Sequence, residues 1–146
     1  MLRMIAVAAL AVCVAGPALA DADASIKYRK NAMKAIGAEM GSIVAILKGE
    51  IDNKGALATH AAIMGAATKT AITKPAFMTK TDGEGSEKTT STGAIWTDWA
   101  KFEAGLVALE KAGAAMADAG ANASMDHVKA LGATCKGCHD NFREKK

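Results

Sequence analysis

The sequence predicts an all-α fold, an antiparallel up-down-up-down bundle of four helices. Three observations carry that expectation. Four stretches repeat their apolar residues at steps of three and four, none shows the strict alternation of a half-buried strand, and the first and third connections between them are short. At 146 residues, with 51% hydrophobic and 23% charged side chains, the chain has the length and composition of one domain around one core.

Residues 1–20 stand apart from that domain. Met1-Leu2-Arg3-Met4 is a short basic start, residues 5–16 are an apolar run, and Ala18-Leu19-Ala20 is a small-residue cleavage site. This is the pattern of a secretory signal peptide, and its apolar run is too short to span a bilayer. The expectation is export across the inner membrane to the periplasm without stable membrane insertion, leaving residues 21–146 as a single four-helix domain. Cys13 goes with the leader, so Cys135 and Cys138 are the two cysteines of the mature chain, and no structural disulfide is available. A formal net charge of +3 is too small to point to nucleic acid or a membrane surface as partner.

Each helix has its own seam. In residues 24–48, Ile26, Arg29, Met33, Ile36, Met40, Ile43 and Leu47 recur at helical spacing, and Gly49 is a C-terminal cap. The second, residues 52–73, starts from Asp52 as N-cap, places Leu57, Ala61, Met64, Ala67 and Ala71 on one face, and is stopped by Pro75. Residues 74–92, rich in Thr, Gly, Ser and Lys, read as the one long loop. The third helix, residues 93–119, aligns Ile95, Trp99, Phe102, Leu106, Leu109, Gly113 and Met116, with Trp96 beside them. The fourth, residues 124–144, begins at a Ser124 N-cap and aligns Met125, Val128, Leu131, Cys135, Cys138 and Phe142.

The chemistry is concentrated in Cys135-Lys136-Gly137-Cys138-His139. Two thiols three residues apart followed at once by an imidazole read as a covalent haem c attachment site. On a helix these three residues share one face, so both sulfurs can bond one porphyrin while His139 reaches its iron from the same side. A thioredoxin-like dithiol needs a βαβ setting that the sequence lacks, and a structural zinc site wants four ligands where only His60 and His127 remain as strong donors.

Topology narrows the residue on the other side of the iron. In such a bundle the start of the first helix lies level with the end of the last, which sets His139 opposite the stretch from Arg29 to Met33. Met40 lies too deep, Met116 and Met125 belong to the opposite end, and Met78 in the long loop is the competitor. His127 is twelve residues from His139 on one helix, too far to share its iron, and His60 reads as a packed or surface residue. By position alone, Met33 serves equally well as a thioether ligand and as core filling. Trp96 and Trp99 fall at the haem end, where they could pack on the porphyrin or fill core.

These residues resemble a family. Tyr28-Arg29-Lys30-Asn31-Ala32-Met33-Lys34 in the first helix, Ile95-Trp96 opening the third, and Cys135-Lys136-Gly137-Cys138-His139-Asp140-Asn141-Phe142-Arg143 at the end are similar to the class II cytochromes c. That family contains the high-spin cytochromes c′ and the low-spin cytochromes c-556 and c-554, and the likeness covers essentially the whole mature chain. It implies a single covalent haem c on Cys135 and Cys138, with His139 as proximal iron ligand. The low-spin branch places methionine at the distal position, here Met33, whereas high-spin members leave that position open. Arg29 and Arg143 match basic residues near the haem edge, where a guanidinium can pair with a propionate.

The resulting expectation is a periplasmic one-electron carrier with low-spin His139/Met33 ligation, serving redox partner proteins and not acting as an enzyme. The alternative is a cytochrome c′-type protein that binds or detoxifies nitric oxide or carbon monoxide at an open distal site. The resemblance also implies homodimers formed through the first two helices.

Overall fold

The computed structural model describes residues 18–145. The body of the expected leader, residues 1–17, lies outside the described residues. Among the described residues there is no strand, only a single antiparallel bridge between Ser91 and Arg143. No described helix is long and apolar enough to cross a membrane.

Helix α1, Ala18–Leu47, runs for 30 residues, about 45 Å at 1.5 Å per residue. It buries Ile26, Arg29, Ile36 and Ile43 of the expected seam, together with Ala22 and Ile46 beside it. Gly49 ends it at φ 72°, donating to Ile46 O (3.1 Å) while Glu50 N donates to Ala45 O (2.9 Å). These two bonds satisfy carbonyls that the last turn would otherwise orphan, and glycine adopts the left-handed conformation without steric cost.

The second helix is shorter than its periodicity suggests. A 3-10 turn, Lys54–Ala56, leads into α2, Leu57–Ala67, and the short α3, Thr70–Thr73, follows a break. Asp52 is therefore no cap, because α2 begins five residues later. At the break, Thr68 is fully buried and turns its hydroxyl back onto Met64 O (2.9 Å) and Gly65 O (3.2 Å). That local bond competes with continuing the helix, so Ala71, beyond it, is exposed rather than on the seam. Pro75 does follow a helix end at Thr73, as expected. It opens the one-turn α4, Pro75–Met78, at the first position, where its missing N–H costs nothing.

The third helix is also split. Asp98, at φ −126°, divides α5, Ala94–Thr97, from α6, Trp99–Ala119. Gly120 at φ 51° closes α6 and a 3-10 turn, Gly120–Asn122, leads to α7, Met125–Phe142. Ser124 is its N-cap, and His127 serves there too: Ser124 N donates to His127 Nδ1 at 3.2 Å.

The long helices pack in a ring, α1 on α2, α2 on α6, α6 on α7, with the thinnest contact between α7 and α1. The apolar interior divides in two. One cluster is built on Ile43, Leu57, Met64, Met116 and Leu131, and the other on Phe77, Ile95, Phe102, Leu106 and Phe142. Met33 packs against both. The first is closed tightly: a β-carbon added to Gly113 would fall 1.9 Å from Thr68 Oγ1, and one on Gly65 would fall 2.6 Å from Ala117 Cβ. Small residues thus set how closely α2 approaches α6.

Candidate haem site

The second cluster borders a cavity of about 810 Å³ between α1, α6 and α7. Cys135, Cys138 and His139 line it from α7, Arg29, Met33, Ile36 and Gly37 from α1, and Phe102, Gly105, Leu106 and Leu109 from α6. Every residue expected from the sequence to hold the cofactor, Arg143 included, borders this one space. Helical spacing explains it, since Cys135, Cys138 and His139 occur at i, i+3 and i+4 on one helix face.

Cys135 and Cys138 are free thiols, both half-buried. Burial pushes both thiols up from the ordinary range, and for Cys138 the neighbouring Cys135 adds to it. Partial burial, then the positive charge of Arg143, push His139 below the usual imidazole value. A neutral ring keeps a nitrogen lone pair free for a metal. Gly105 sits across from the motif, where an added β-carbon would lie 3.8 Å from Cys138 Sγ.

Arg29 is the residue whose surroundings ask for something more. It is 3% exposed, and its guanidinium lies 5.0 Å from the Phe77 ring centroid and 5.7 Å from that of Trp96. Nη2 donates to Thr81 Oγ1 at 2.7 Å, while buried Nε and Nη1 have no partner. Desolvation lowers its pKa, yet a guanidinium stays protonated, so two buried donors are left without a partner beside the cavity. An anionic group in the cavity would satisfy them.

Sequence reasoning missed the wall formed by residues 79–93. Read as a plain loop, this segment in fact closes the cavity, with Lys88, Thr89, Thr90 and Ser91 lining it. Thr92 N donates to Phe142 O (3.0 Å), Glu144 N to Thr90 O (2.8 Å) and Arg143 Nε to Thr90 Oγ1 (3.0 Å). At its other end the Asp23 carboxylate accepts from Ser86 N and Ser86 Oγ (2.7 Å each) and Glu87 N (2.8 Å), and Lys30 pairs with Glu87. Gly85, at φ 77°, makes room for that carboxylate, 2.3 Å from where a β-carbon would stand. The only hint in the sequence was the glycine spacing of Asp82-Gly83-Glu84-Gly85-Ser86.

Other candidates fall away from the cavity. Met78, the competitor to Met33, is 63% exposed and does not line it. Trp96 and Trp99 do not line it either: Trp96 donates to Phe77 O (2.9 Å), and Trp99 lies 5.7 Å from the Phe102 ring centroid. Met40 packs in the other cluster, and His60 pairs with Glu39 at 2.7 Å, joining α2 to α1.

An apolar cavity of this size matches cofactor pockets in general, and its wall of two thiols and a neutral imidazole, with orphaned guanidinium donors nearby, fits an iron porphyrin bearing carboxylates. The fold and site therefore define a class, the four-helix c-type haem proteins. The family model described as Cytochrome C′ matches residues 24–143. A cytochrome c′ of Pararhodospirillum photometricum is 36% identical over 129 residues, spanning 86% of this chain and 100% of its own length. One of Rhodopseudomonas palustris is 37% identical over 152 residues, 99% of this chain and 98% of its own. The solved cytochrome c′ from Rhodobacter spheriodes superposes with a TM-score of 0.75 at 29% identity, over 86% of this chain and 99% of its own. A variant of cytochrome c′ from Alcaligenes xylosoxidans, solved in complex with nitric oxide, gives 0.71 at 25% identity over 86% and 97%. The chain belongs to the cytochrome c′ family, whose members carry one covalently bound haem c with its iron. The low-spin c-556 branch favoured from Met33 is not supported by these relatives, which are described as cytochromes c′.

Proposed function

We propose that the protein is a periplasmic cytochrome c′ that binds diatomic gases such as nitric oxide or carbon monoxide on the side of its haem facing α1. When bound, haem c supplies an iron that holds one electron more or less and can take a small gas on an open side. Cys135 and Cys138 would hold the porphyrin through thioether bonds, and His139 would hold the iron through its neutral ring nitrogen. Arg29, with two unsatisfied buried donors, would pair with a propionate, and Arg143, which also lines the cavity, would offer a second cation. Phe77, Phe102 and Phe142, with ring centroids 4.6 and 5.2 Å apart in successive pairs, exclude water.

The observation that carries the gas-binding reading is the wall opposite His139. Met33 and Ile36 pack into the core there, and Gly37 lines the cavity without a side chain to fill it. Met33 covers the open side as packing and does not ligate. The solved relative with nitric oxide bound supports the same role for this chain.

One observation favours the second reading, a low-spin electron carrier: the Met33 side chain borders the same cavity as His139. Optical spectra of the ferric and ferrous protein, with and without carbon monoxide, decide between them. The expected result is a high-spin spectrum and rapid carbon monoxide binding at neutral pH, with Met33→Ala changing the binding rate but not the spin state. A sulfur-to-iron charge-transfer band lost in Met33→Ala would establish the low-spin reading instead.

A further inference from the structure

Three groups hold the Arg29 guanidinium in place. The Phe77 and Trp96 ring centroids lie 5.0 and 5.7 Å from its carbon, and Thr81 Oγ1 accepts from Nη2 at 2.7 Å. Of the three, the hydroxyl alone is sharply directional. An aromatic face attracts a cation over a broad range of positions, whereas a hydrogen bond weakens steeply off its axis. Thr81 is itself 2% exposed, so the bond is sheltered from solvent. It reaches Arg29 from 52 residues away in the chain, out of the wall formed by residues 79–93.

The backbone behind that hydroxyl is set as well. Glu84 N donates to Thr81 O (3.3 Å) across a turn whose third residue, Gly83, stands at φ 74°, a conformation glycine adopts without steric cost. Nε and Nη1 of Arg29 already lack partners, so losing Thr81 Oγ1 would leave all three guanidinium nitrogens without one. A buried cation in that state is driven to turn away and find water. Thr81 does not line the cavity, so any effect it has there passes through Arg29.

We infer that Thr81 is a positioning residue: by holding Nη2 it keeps the Arg29 charge against the cavity and so sets the reduction potential of the haem. The inference rests on the haem reading above and adds the residue that tunes it. A positive charge fixed beside the cavity favours the ferrous state, which carries one positive charge less than the ferric, and in buried surroundings salt screens it little.

The test is a spectroelectrochemical titration of the holoprotein, its visible haem band recorded first and its melting temperature read alongside. Thr81→Val, which keeps the shape and loses the acceptor, is expected to lower the ferrous-to-ferric ratio at a fixed potential about threefold, a midpoint shift of about 28 mV at 59 mV per tenfold for one electron. Thr81→Ser, which keeps the hydroxyl, restores the midpoint. In an Arg29→Gln background Thr81→Val adds no further shift, because the two residues act as one unit. Asp23→Asn, which loosens the same wall segment at Ser86 and Glu87, leaves the midpoint in place.

A midpoint unchanged or raised in Thr81→Val, or lowered equally in Thr81→Ser, overturns the proposal, and a melting temperature that falls alone makes Thr81 a packing residue. An undiminished shift in the Arg29→Gln background overturns it too, as does an equal shift from Asp23→Asn, which would assign the effect to the wall as a whole. Should Arg29→Gln fail to fold, the contrast between valine and serine at position 81 decides by itself. A colourless preparation overturns both this inference and the haem reading, whereas coloured protein whose midpoint ignores Thr81 overturns only this one.

Discussion

The two ends of the bundle solve the packing problem in opposite ways. Around Met64, Met116 and Leu131, all 0% exposed, glycines let α2 and α6 approach until no side chain could be added, and the core is complete in itself. Around Phe77, Phe102 and Phe142, the helices stand apart over about 810 Å³, and closure comes from a loop hydrogen-bonded across the gap. The lesson is that stability and cofactor capacity are divided along one set of helices. The closed end holds the topology so that the open end can keep a void that an ordinary core would collapse.

If that division is real, perturbations at the two ends must differ in how they depend on the cofactor. The largest effect is expected from Cys135→Ser with Cys138→Ser. Haem then extracts into acidified butanone, and the melting temperature falls by about 10 °C relative to the holoprotein, because a group bound only to the folded state no longer stays attached. Next comes Leu131→Ala in the closed cluster, costing about 2–5 kcal/mol. Denaturant titrations should return the same loss with and without haem, and a loss confined to the holoprotein would break the comparison. Gly113→Ala, which drives a methyl group into Thr68, is expected to cost about 1–3 kcal/mol, again independent of haem.

The smallest effect is at the loop's tether. Backbone and side-chain hydrogen bonds from Glu87 and Ser86 hold the Asp23 carboxyl below the usual carboxylate range. A depressed folded-state pKa means the tether contributes fully above the ordinary carboxylate value and is lost as pH falls through the lower one. Limited proteolysis within residues 79–93 should therefore stay slow at neutral pH and rise as pH falls below the ordinary carboxylate range. Asp23→Asn should raise it at neutral pH, with little change in global unfolding.

Much of this was legible in the sequence because it is local. The period of three to four residues marked Ile26, Ile36, Ile43, Phe102, Leu106 and Met116 as buried, and the Cys135 to His139 spacing put one face of α7 on the cavity. The breaks at Thr68 and Asp98 were not legible. At Thr68 a hydroxyl bonds back to backbone, a choice that hydropathy does not register. Nor could the role of residues 79–93 be seen, since its polar composition reads as solvated until Phe142 and Glu144, some fifty residues on, supply its partners. Met78 was misplaced for a related reason, because α4 is a single turn whose orientation no period fixes, whereas Trp96 and Trp99 fill core beside the cavity, one of the two roles expected of them. Arg29 could be placed on the seam, but its unsatisfied donors emerge only once Thr81, Phe77 and Trp96 surround it.

The bonds from Thr92 and Thr90 to Phe142 and Glu144 also set an order on the protein's manufacture. The middle of the chain waits for its last helix before the chamber has a wall, so the chamber cannot close until α7 is in place. The attachment residues and the partners of that wall lie in the same last stretch of chain, so the vessel and the hooks for its contents are finished together.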